Sequence, residues 1–478
     1  MELPPHPLPL VVDLDGTLIA NDVLLETASR FISQHPLRGA NVVRWLSAGK
    51  VTLKRELWSA APVRVDRLQY HPELLAWLNQ ERATGRTMVL ATAADERAAQ
   101  AVADHLGIFD IVLGSHGDTN LRAAQKADAL VARFGEQGFE YVGNHRDDLL
   151  VWRHASVAHV VGDGALSGQA QAAAAGGRTF APKQGSARQL VKALRPHQWV
   201  KNALIFIPLL AAHQVADVGS LLAAVLAFVA FSIAASSVYL LNDIADVEND
   251  RDHPTKRFRP FAAGTVSLAV GWALWPVLAL GALVLAFGVS PLLGLVVSVY
   301  LVITAAYSFA LKRKPVVDVL TLAMLYTIRI VAGAAAIDVE LSEWMLSFSV
   351  FFFLSLALVK RVSELHRTRL SNTTTLGRGY RPDDLELLSS YGVTTSVTSA
   401  LVFTLFVNDP GTARLYESPE MLWASIPVIL AWLMRVWLLA HRGEMNEDPI
   451  LFAIRDRVSV VCGLLIVVIF VLATFVTV

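Results

Sequence analysis

Apolar positions fall into two regimes along the chain. Up to about residue 190 they come as short runs broken by charged stretches, such as Leu8 to Val12 and Met88 to Ala91. That pattern predicts a soluble α/β domain with buried strands. From about residue 203 onward, long apolar segments alternate with short charged loops. Nine spans are predicted, near 203–213, 220–241, 267–288, 291–310, 316–337, 342–360, 393–408, 421–440 and 458–478. Most carry the ~20 apolar residues that a bilayer core requires. The first is short and begins as an amphipathic stretch near Trp199. Buried soluble helices could mimic one or two such spans, but not nine in series.

Composition agrees and narrows the classes. Of 478 residues, 54% are hydrophobic and 17% charged, more apolar than a soluble domain. The 41 basic residues balance 41 acidic ones, which argues against a nucleic-acid partner. Cys462 is the sole cysteine, so neither an intramolecular disulfide nor a Cys-rich metal site is open to the chain. The proline-rich stretch Met1 to Leu10 does not read as a secretory signal. Loops after spans two, four, six and eight hold fifteen Lys and Arg, Arg251, Arg369, Arg378 and Arg442 among them, against Arg414 on the other side. The positive-inside rule then puts the basic loops in the cytoplasm. With an odd number of spans, the N-terminal domain is also cytoplasmic and the C-terminus lies outside. The expected division is residues 1–180, a linker at 181–193, and a membrane domain over 194–478.

The soluble half begins with Leu8-Pro-Leu-Val-Val-Asp13-Leu-Asp15-Gly-Thr17. Two carboxylates two residues apart at a strand's C-terminal end point the same way, into the crevice where open α/β sheets bind ligands. One can hold Mg²⁺ while the other does acid/base work. The string hhhDxDGT resembles the first motif of the haloacid-dehalogenase (HAD) phosphohydrolase superfamily. That resemblance covers residues 8–180. It implies a Rossmann-like α/β fold with a helical cap over residues 20–80, Asp13 as nucleophile and Asp15 as general acid/base. It also implies Thr92 as a phosphoryl hydrogen-bond donor and Lys126 as the cation that neutralises nucleophile and phosphate. Mg²⁺ would be held by Asp13, Asn144 and Asp148. Asn144 departs from the family's usual Asp and removes one negative charge from that site.

Span two ends in Asn242-Asp243-Ile-Ala-Asp246-Val-Glu-Asn-Asp250-Arg251. Asn242, Asp246 and Asp250 recur every four residues, so a helix would stack them on one face. Stacked acids repel unless a cation sits between them, and such hard oxygen ligands suit Mg²⁺ carrying a diphosphate. Lys256, Arg257 and Arg259 follow and can engage phosphate oxygens. This string resembles the first motif of the UbiA superfamily of membrane transferases, which have nine transmembrane helices and bind a diphosphate substrate through Mg²⁺. The resemblance spans residues 192–478 and includes Tyr307 and Lys312. Of the family's second motif, DxxxD, Asp318 is present, but position 322 is Leu.

Three further strings resemble the decaprenyl-phosphate phosphoribosyltransferase branch of that superfamily. They are Arg195-Pro-His-Gln-Trp-Val-Lys201-Asn202, the stretch from His253 to Gly264, and Val317-Asp318 through Arg329 to Gly333. The branch joins 5-phosphoribose from phosphoribosyl diphosphate (PRPP) to a polyprenyl phosphate. A single Mg²⁺ site would then serve a single diphosphate. Lys360 and Arg361 could hold a phosphate or serve as snorkelling anchors. Arg329, deep in span five, needs a polar cavity or partner.

The expected whole is therefore a multi-pass transferase of a bacterial cytoplasmic membrane, with one Mg²⁺ in each domain. Its HAD domain would remove the product's 5-phosphate. Expected partners are PRPP, polyprenyl phosphate and the bilayer, and a homo-oligomer is compatible. The rival readings are a prenyltransferase using a prenyl diphosphate, and a membrane-anchored phospho-ligand binder.

Overall fold

The computed structural model describes residues 8–476, except Asp118, 183–184, 186, 372–378 and 446–447 and the side chains of 368–371. Arg378 and the Arg369 side chain, counted among the basic loop residues, lie outside the described residues. The chain forms two compact units, one of residues 1–194 with 239–275, the other of residues 195–238 with 276–478.

The first unit is built on a six-stranded parallel sheet: β1 (Leu10–Val12), β2 (Met88–Asp95), β3 (Ile111–Ser115), β4 (Glu140–Gly143), β5 (Val157–Val161) and β6 (Ala175–Phe180), in the order β3-β2-β1-β4-β5-β6. Alternation places Leu10, Val12 and Leu90 in one core with Trp77 and Leu78. Val11, Val89 and Tyr141 enter a second core with Trp152. Both faces are covered, which is why β1 reads as an unbroken apolar run. The chain leaves β1 toward β2 on one side and β4 on the other, so a crevice opens at the carboxyl ends of β1 and β4. The helical cap consists of α1 (Val23–Gln34), α2 (Gly39–Ser47) and α3 (Lys50–Ala60).

Among the described residues, eight helices are long and apolar enough to cross a membrane. The first, α4 (Val218–Ala245), is followed by a short α5 (Val247–Asp252). Then come α6 (Leu268–Val289), α7 (Pro291–Phe309), α8 (Val317–Ile337), α9 (Glu343–Ser371), α10 (Leu385–Val407), α11 (Ser425–His441) and α12 (Arg457–Phe475). At ~1.5 Å per residue α4 is about 42 Å long, more than a bilayer core, so its polar last turn extends past the apolar layer.

The first expected span, 203–213, differs. It is a 3₁₀ stretch, Pro196–Phe206, continued by the short helix Ile207–Ala211. Both pack along α8. Neither piece is among the eight helices long and apolar enough to cross a membrane. The close approach depends on Gly333, where a Cβ would lie 2.0 Å from the Ile205 carbonyl oxygen.

Candidate functional site

In the first unit, Asp13 directly follows β1, Thr92 lies in β2 and Asn144 directly follows β4. Lys126 Nζ donates to Asp13 Oδ1 at 2.7 Å and to the Tyr141 hydroxyl at 3.0 Å. The Tyr141 hydroxyl in turn donates to Asp148 Oδ1 at 2.9 Å. Burial pushes the Asp13 carboxyl up to about 6, Lys126 opposes the rise and Asp148 adds to it. Burial, Asp22 and Asp13 hold Asp15 well above the carboxylate range. Lys126 is pushed down by burial, but Asp13 and Asp148 outweigh this and its pKa rises. The Asp13 carboxyl thus lies against a buried cation, with a neighbouring carboxyl whose pKa is raised. A cavity of about 410 Å³ borders this turn, with Gly16, Thr17, His71 and Arg146 in its wall.

The metal ligands expected in this domain fit less well. Asp148 Oδ2 accepts the backbone N–H of Asn144 and of His145, both at 2.9 Å, while Oδ1 holds Tyr141. Asn144 Oδ1 accepts from the Thr17 hydroxyl at 3.1 Å, and its amide lies so close to Gly16 that a Cβ there would meet it at 2.2 Å. Gly16 has φ +74°, a second reason for glycine. Asp148 and Asn144 therefore brace the turn. Among the described residues no group of three or more His, Cys, Asp or Glu is arranged to hold a metal. Thr92 is buried, and its hydroxyl oxygen accepts the Ala94 N–H at 3.0 Å.

The acid ladder also lies in the first unit. Asp246 N donates to Asn242 O at 2.9 Å and Asp250 N to Asp246 O at 2.8 Å, so the three residues stack one turn apart although α4 gives way to α5 at Asp246. Arg259 Nη1 reaches Asp250 Oδ2 at 2.6 Å and Asp243 Oδ1 at 3.2 Å. Burial raises Asp250 to about 6 against the pull of Arg259. Asn242 Oδ1 is buried with no hydrogen-bond partner among the described residues. A hard oxygen without a donor, one turn from Asp246 and two from Asp250, fits Mg²⁺. Lys256 and Arg257 occupy the following 3₁₀ turn, Lys256–Phe258.

In the second unit the expected cations fall in four places. Lys201 and Lys360 converge on Asp448 Oδ2 at 2.9 and 3.1 Å. The two lysines hold Asp448 well below the usual carboxylate range, outweighing its burial. Arg361 is buried against Asp318 (2.5 and 3.0 Å), Glu364 (2.5 Å) and Tyr307 (3.1 Å), and Tyr307 donates to Asp318 at 2.8 Å. These three expected substrate ligands satisfy one another. Arg329 donates to Asn202 Oδ1 at 2.9 Å and to the Leu325 carbonyl. The rings of Phe231, Tyr300 and Tyr326 surround its guanidinium at 5.3–5.4 Å. No carboxylate among the described residues pairs with it. Lys312 sits in the turn Leu311–Arg313 after α7.

Residues 203–455 match the UbiA prenyltransferase family, a little over half of the chain. The chain belongs to that family. Residues 10–153 match the haloacid dehalogenase-like hydrolases, so the molecule is a UbiA-type membrane enzyme with a fused HAD domain. An uncharacterized protein of Sinorhizobium fredii is 38% identical over 98% of this chain and 91% of its own length. The Azorhizobium caulinodans nodulation protein NoeC is 36% identical over 57% of this chain and 88% of its own. A decaprenyl-phosphate phosphoribosyltransferase of Mycolicibacterium smegmatis is 42% identical, but over 39% of this chain and 60% of its own.

Several residues of these clusters escape a reading by motif. Asp448 has no signal beyond a charged loop, and Tyr141 reads as a strand aromatic. Lys54, on α3 of the cap, reaches the Ala93 carbonyl at 2.5 Å and Asn120 Oδ1 at 3.0 Å, with Asp15 and Asp22 in its field. Asp243, next to Asn242 in the motif string, takes part through Arg259.

Proposed function

We propose that this protein transfers 5-phosphoribose from PRPP to a polyprenyl phosphate and that its HAD domain then removes the 5-phosphate. The observation that carries the first step is the stack of Asn242, Asp246 and Asp250, with the orphaned Asn242 oxygen at its top. Those residues would hold Mg²⁺, which supplies charge neutralisation at the departing diphosphate. A phosphate oxygen of the lipid attacks C1 of the ribose, the C1–O bond to the diphosphate breaks, and diphosphate leaves with the electron pair. The nucleophile is already an anion, so it needs positioning more than a base. Arg259, Lys256 and Arg257 supply positive charge beside the acid ladder. Lys201, Lys360 and Asp448 together carry a net positive charge, and Arg329 adds an uncompensated one, which suits a phosphate. Similarity to the phosphoribosyltransferases over part of the chain supports the same donor. The reading also places both active centres on the cytoplasmic face of a bacterial inner membrane, with domain boundaries near 180 and 194.

For the second step Asp13 attacks phosphorus, the P–O5 bond breaks, and Asp15 gives its proton to the leaving alkoxide. Lys126 balances charge on Asp13 and on the phosphoryl oxygens. Asp15 then takes a proton from the water that hydrolyses the aspartyl-phosphate. Asn144 and Asp148 brace the turn through Thr17, Tyr141 and two backbone N–H groups.

Purified protein, Mg²⁺ and polyprenyl phosphate incubated with radiolabelled PRPP should move label into the lipid phase. Absence of that transfer, with transfer from a prenyl diphosphate to an aromatic acceptor instead, would replace this reading with an ordinary prenyltransferase.

A further inference from the structure

One face of α1 carries Glu26, Ser29 and Arg30, three and four residues apart, and all three meet the acid loop or the start of α6 within the first unit. Glu26 accepts Arg251 Nη2 at 2.6 Å and Nη1 at 3.0 Å, and both side chains are almost wholly buried, 3% and 4% exposed. Arg30 pairs with Glu248. Ser29 Oγ accepts the Trp272 indole N–H at 3.1 Å. Asn21, just before the helix, donates to Glu26 Oε1 at 3.1 Å and accepts the Leu268 N–H at 3.1 Å. Arg64 and Arg67 reach Asp252 at 3.2 and 2.7 Å. The partners on the loop, Glu248, Arg251 and Asp252, alternate with the acids Asp246 and Asp250.

Apolar packing would stabilise such a contact at least as well, because burying two charges costs several kcal/mol of desolvation that their attraction only partly returns. A two-pronged carboxylate–guanidinium pair does something packing does not. It fixes the direction of one side chain, and so of the helical turn that bears it. Arg251 is bonded to Asp250 in the chain, and its Nε also holds the Ala262 carbonyl at 3.3 Å, closing the loop on itself.

We propose that the first helix of the phosphatase-like domain is the anchor that sets the transferase's acid loop, with Asn21, Glu26 and Arg251 as positioning residues for transfer. The fused domain then serves the transferase whether or not it hydrolyses anything. This rests on the proposed function in one respect, that the loop holds the donor's diphosphate.

The test uses the full chain in lipid nanodiscs. Glu26→Gln should speed amide hydrogen exchange across residues 246–264 about tenfold or more while leaving the exchange of β1, β2 and β4 unchanged. It should raise the KM for PRPP about fivefold or more with kcat within about twofold. The exchanged pair Glu26→Arg with Arg251→Glu should recover part of both effects. Arg82→Gln, which breaks an exposed pair with Asp110 in the same unit, should alter neither. Should Glu26→Gln not accumulate, Ser29→Ala removes the Trp272 contact, together with a local bond from the hydroxyl to the Leu25 carbonyl within α1, and should give a smaller change of the same kind. Unchanged exchange over 246–264 in a folded variant overturns the anchor. If wild type transfers nothing from PRPP while the exchange still responds, the donor assignment falls and the anchor stands.

Discussion

Lys201 Nζ lies 2.9 Å from Asp448 Oδ2, and Lys360 Nζ reaches the same oxygen from α9 at 3.1 Å. The carboxylate joins three stretches far apart in the chain and leaves the cluster with one net positive charge. Asp448→Asn would leave two lysine charges uncompensated, the more buried being Lys201. The expected cost is roughly 2–4 kcal/mol, the lower end allowing for the partial exposure of Lys360. Thermal unfolding in detergent should register it as a drop of several degrees. Because the folded protein holds the Asp448 pKa below its unfolded value, the carboxylate's contribution is present above the unfolded pKa of ~3.9 and is lost as pH falls through the folded value. The gap between wild type and variant should therefore hold from about pH 8 to 5 and narrow below about pH 4.

Arg329 and Arg361 both lie within spans, yet their surroundings differ. Arg361 has two carboxylates, and its loss would strand the wholly buried Asp318. Arg361→Ala should therefore lower the yield of folded protein, an effect of about 3–5 kcal/mol for breaking a buried pair. Arg329 has an amide, a carbonyl and three aromatic rings, and no carboxylate among the described residues. Arg329→Gln should leave the protein folded and raise the KM for the phosphorylated lipid roughly ten- to a hundredfold, the loss of one charge-assisted contact of ~1.5–3 kcal/mol. Equal KM values for wild type and Arg329→Gln would assign the arginine to packing.

Much of this was legible in the sequence where chemistry and spacing coincide. The DxDGT string ends a strand because an unbroken apolar run precedes it, and the sheet then places Asp13 in the crevice. The i, i+4, i+8 acids stack because backbone hydrogen bonds carry the helical spacing past the end of α4. The first expected span is instead a 3₁₀ stretch and a five-residue helix, neither of them among the helices long enough to cross a membrane. Partners distant in sequence were out of reach. Nothing near Asp448 announces two lysines from elsewhere. Glu26 looks like any polar cap residue until Arg251, 225 positions on, is seen against it. Asp148 occupied its motif position, but its oxygens are spent on Tyr141 and two backbone N–H groups.

Replacing Asp246 or Asp250 by Ala removes an anionic oxygen pair from the ladder. Asp250→Ala also releases Arg259, which would keep Asp243. Each variant should abolish label transfer from PRPP, or reduce it by at least about a hundredfold, while β-sheet content by circular dichroism stays unchanged. The residual activity should rise with Mg²⁺ concentration, because a site short of one hard ligand binds the cation more weakly. Near-normal transfer by either variant at limiting Mg²⁺ would remove the ladder from the donor site.

The HAD domain's own chemistry separates from transfer through Asp13. The transferase's product would still carry a phosphomonoester at ribose O5, a substrate for an aspartyl-phosphate route. Asp13→Asn is close to isosteric and removes the nucleophile, and the amide can still accept from Lys126 and keep the turn in place. The carboxamide oxygen is a far weaker nucleophile than the carboxylate. Polyprenyl-phosphoryl-5-phosphoribose should then accumulate in place of its dephosphorylated form, resolved by mass spectrometry as a difference of one phosphate. Asp15→Asn should slow the same step by removing the proton donor. In that variant a substrate with a better leaving group, such as p-nitrophenyl phosphate, should be hydrolysed more nearly normally, because p-nitrophenolate departs without protonation. If wild type and Asp13→Asn release the same phosphorylated lipid, the domain does not act on this product, and its contribution to the enzyme lies in the contacts α1 makes with the acid loop.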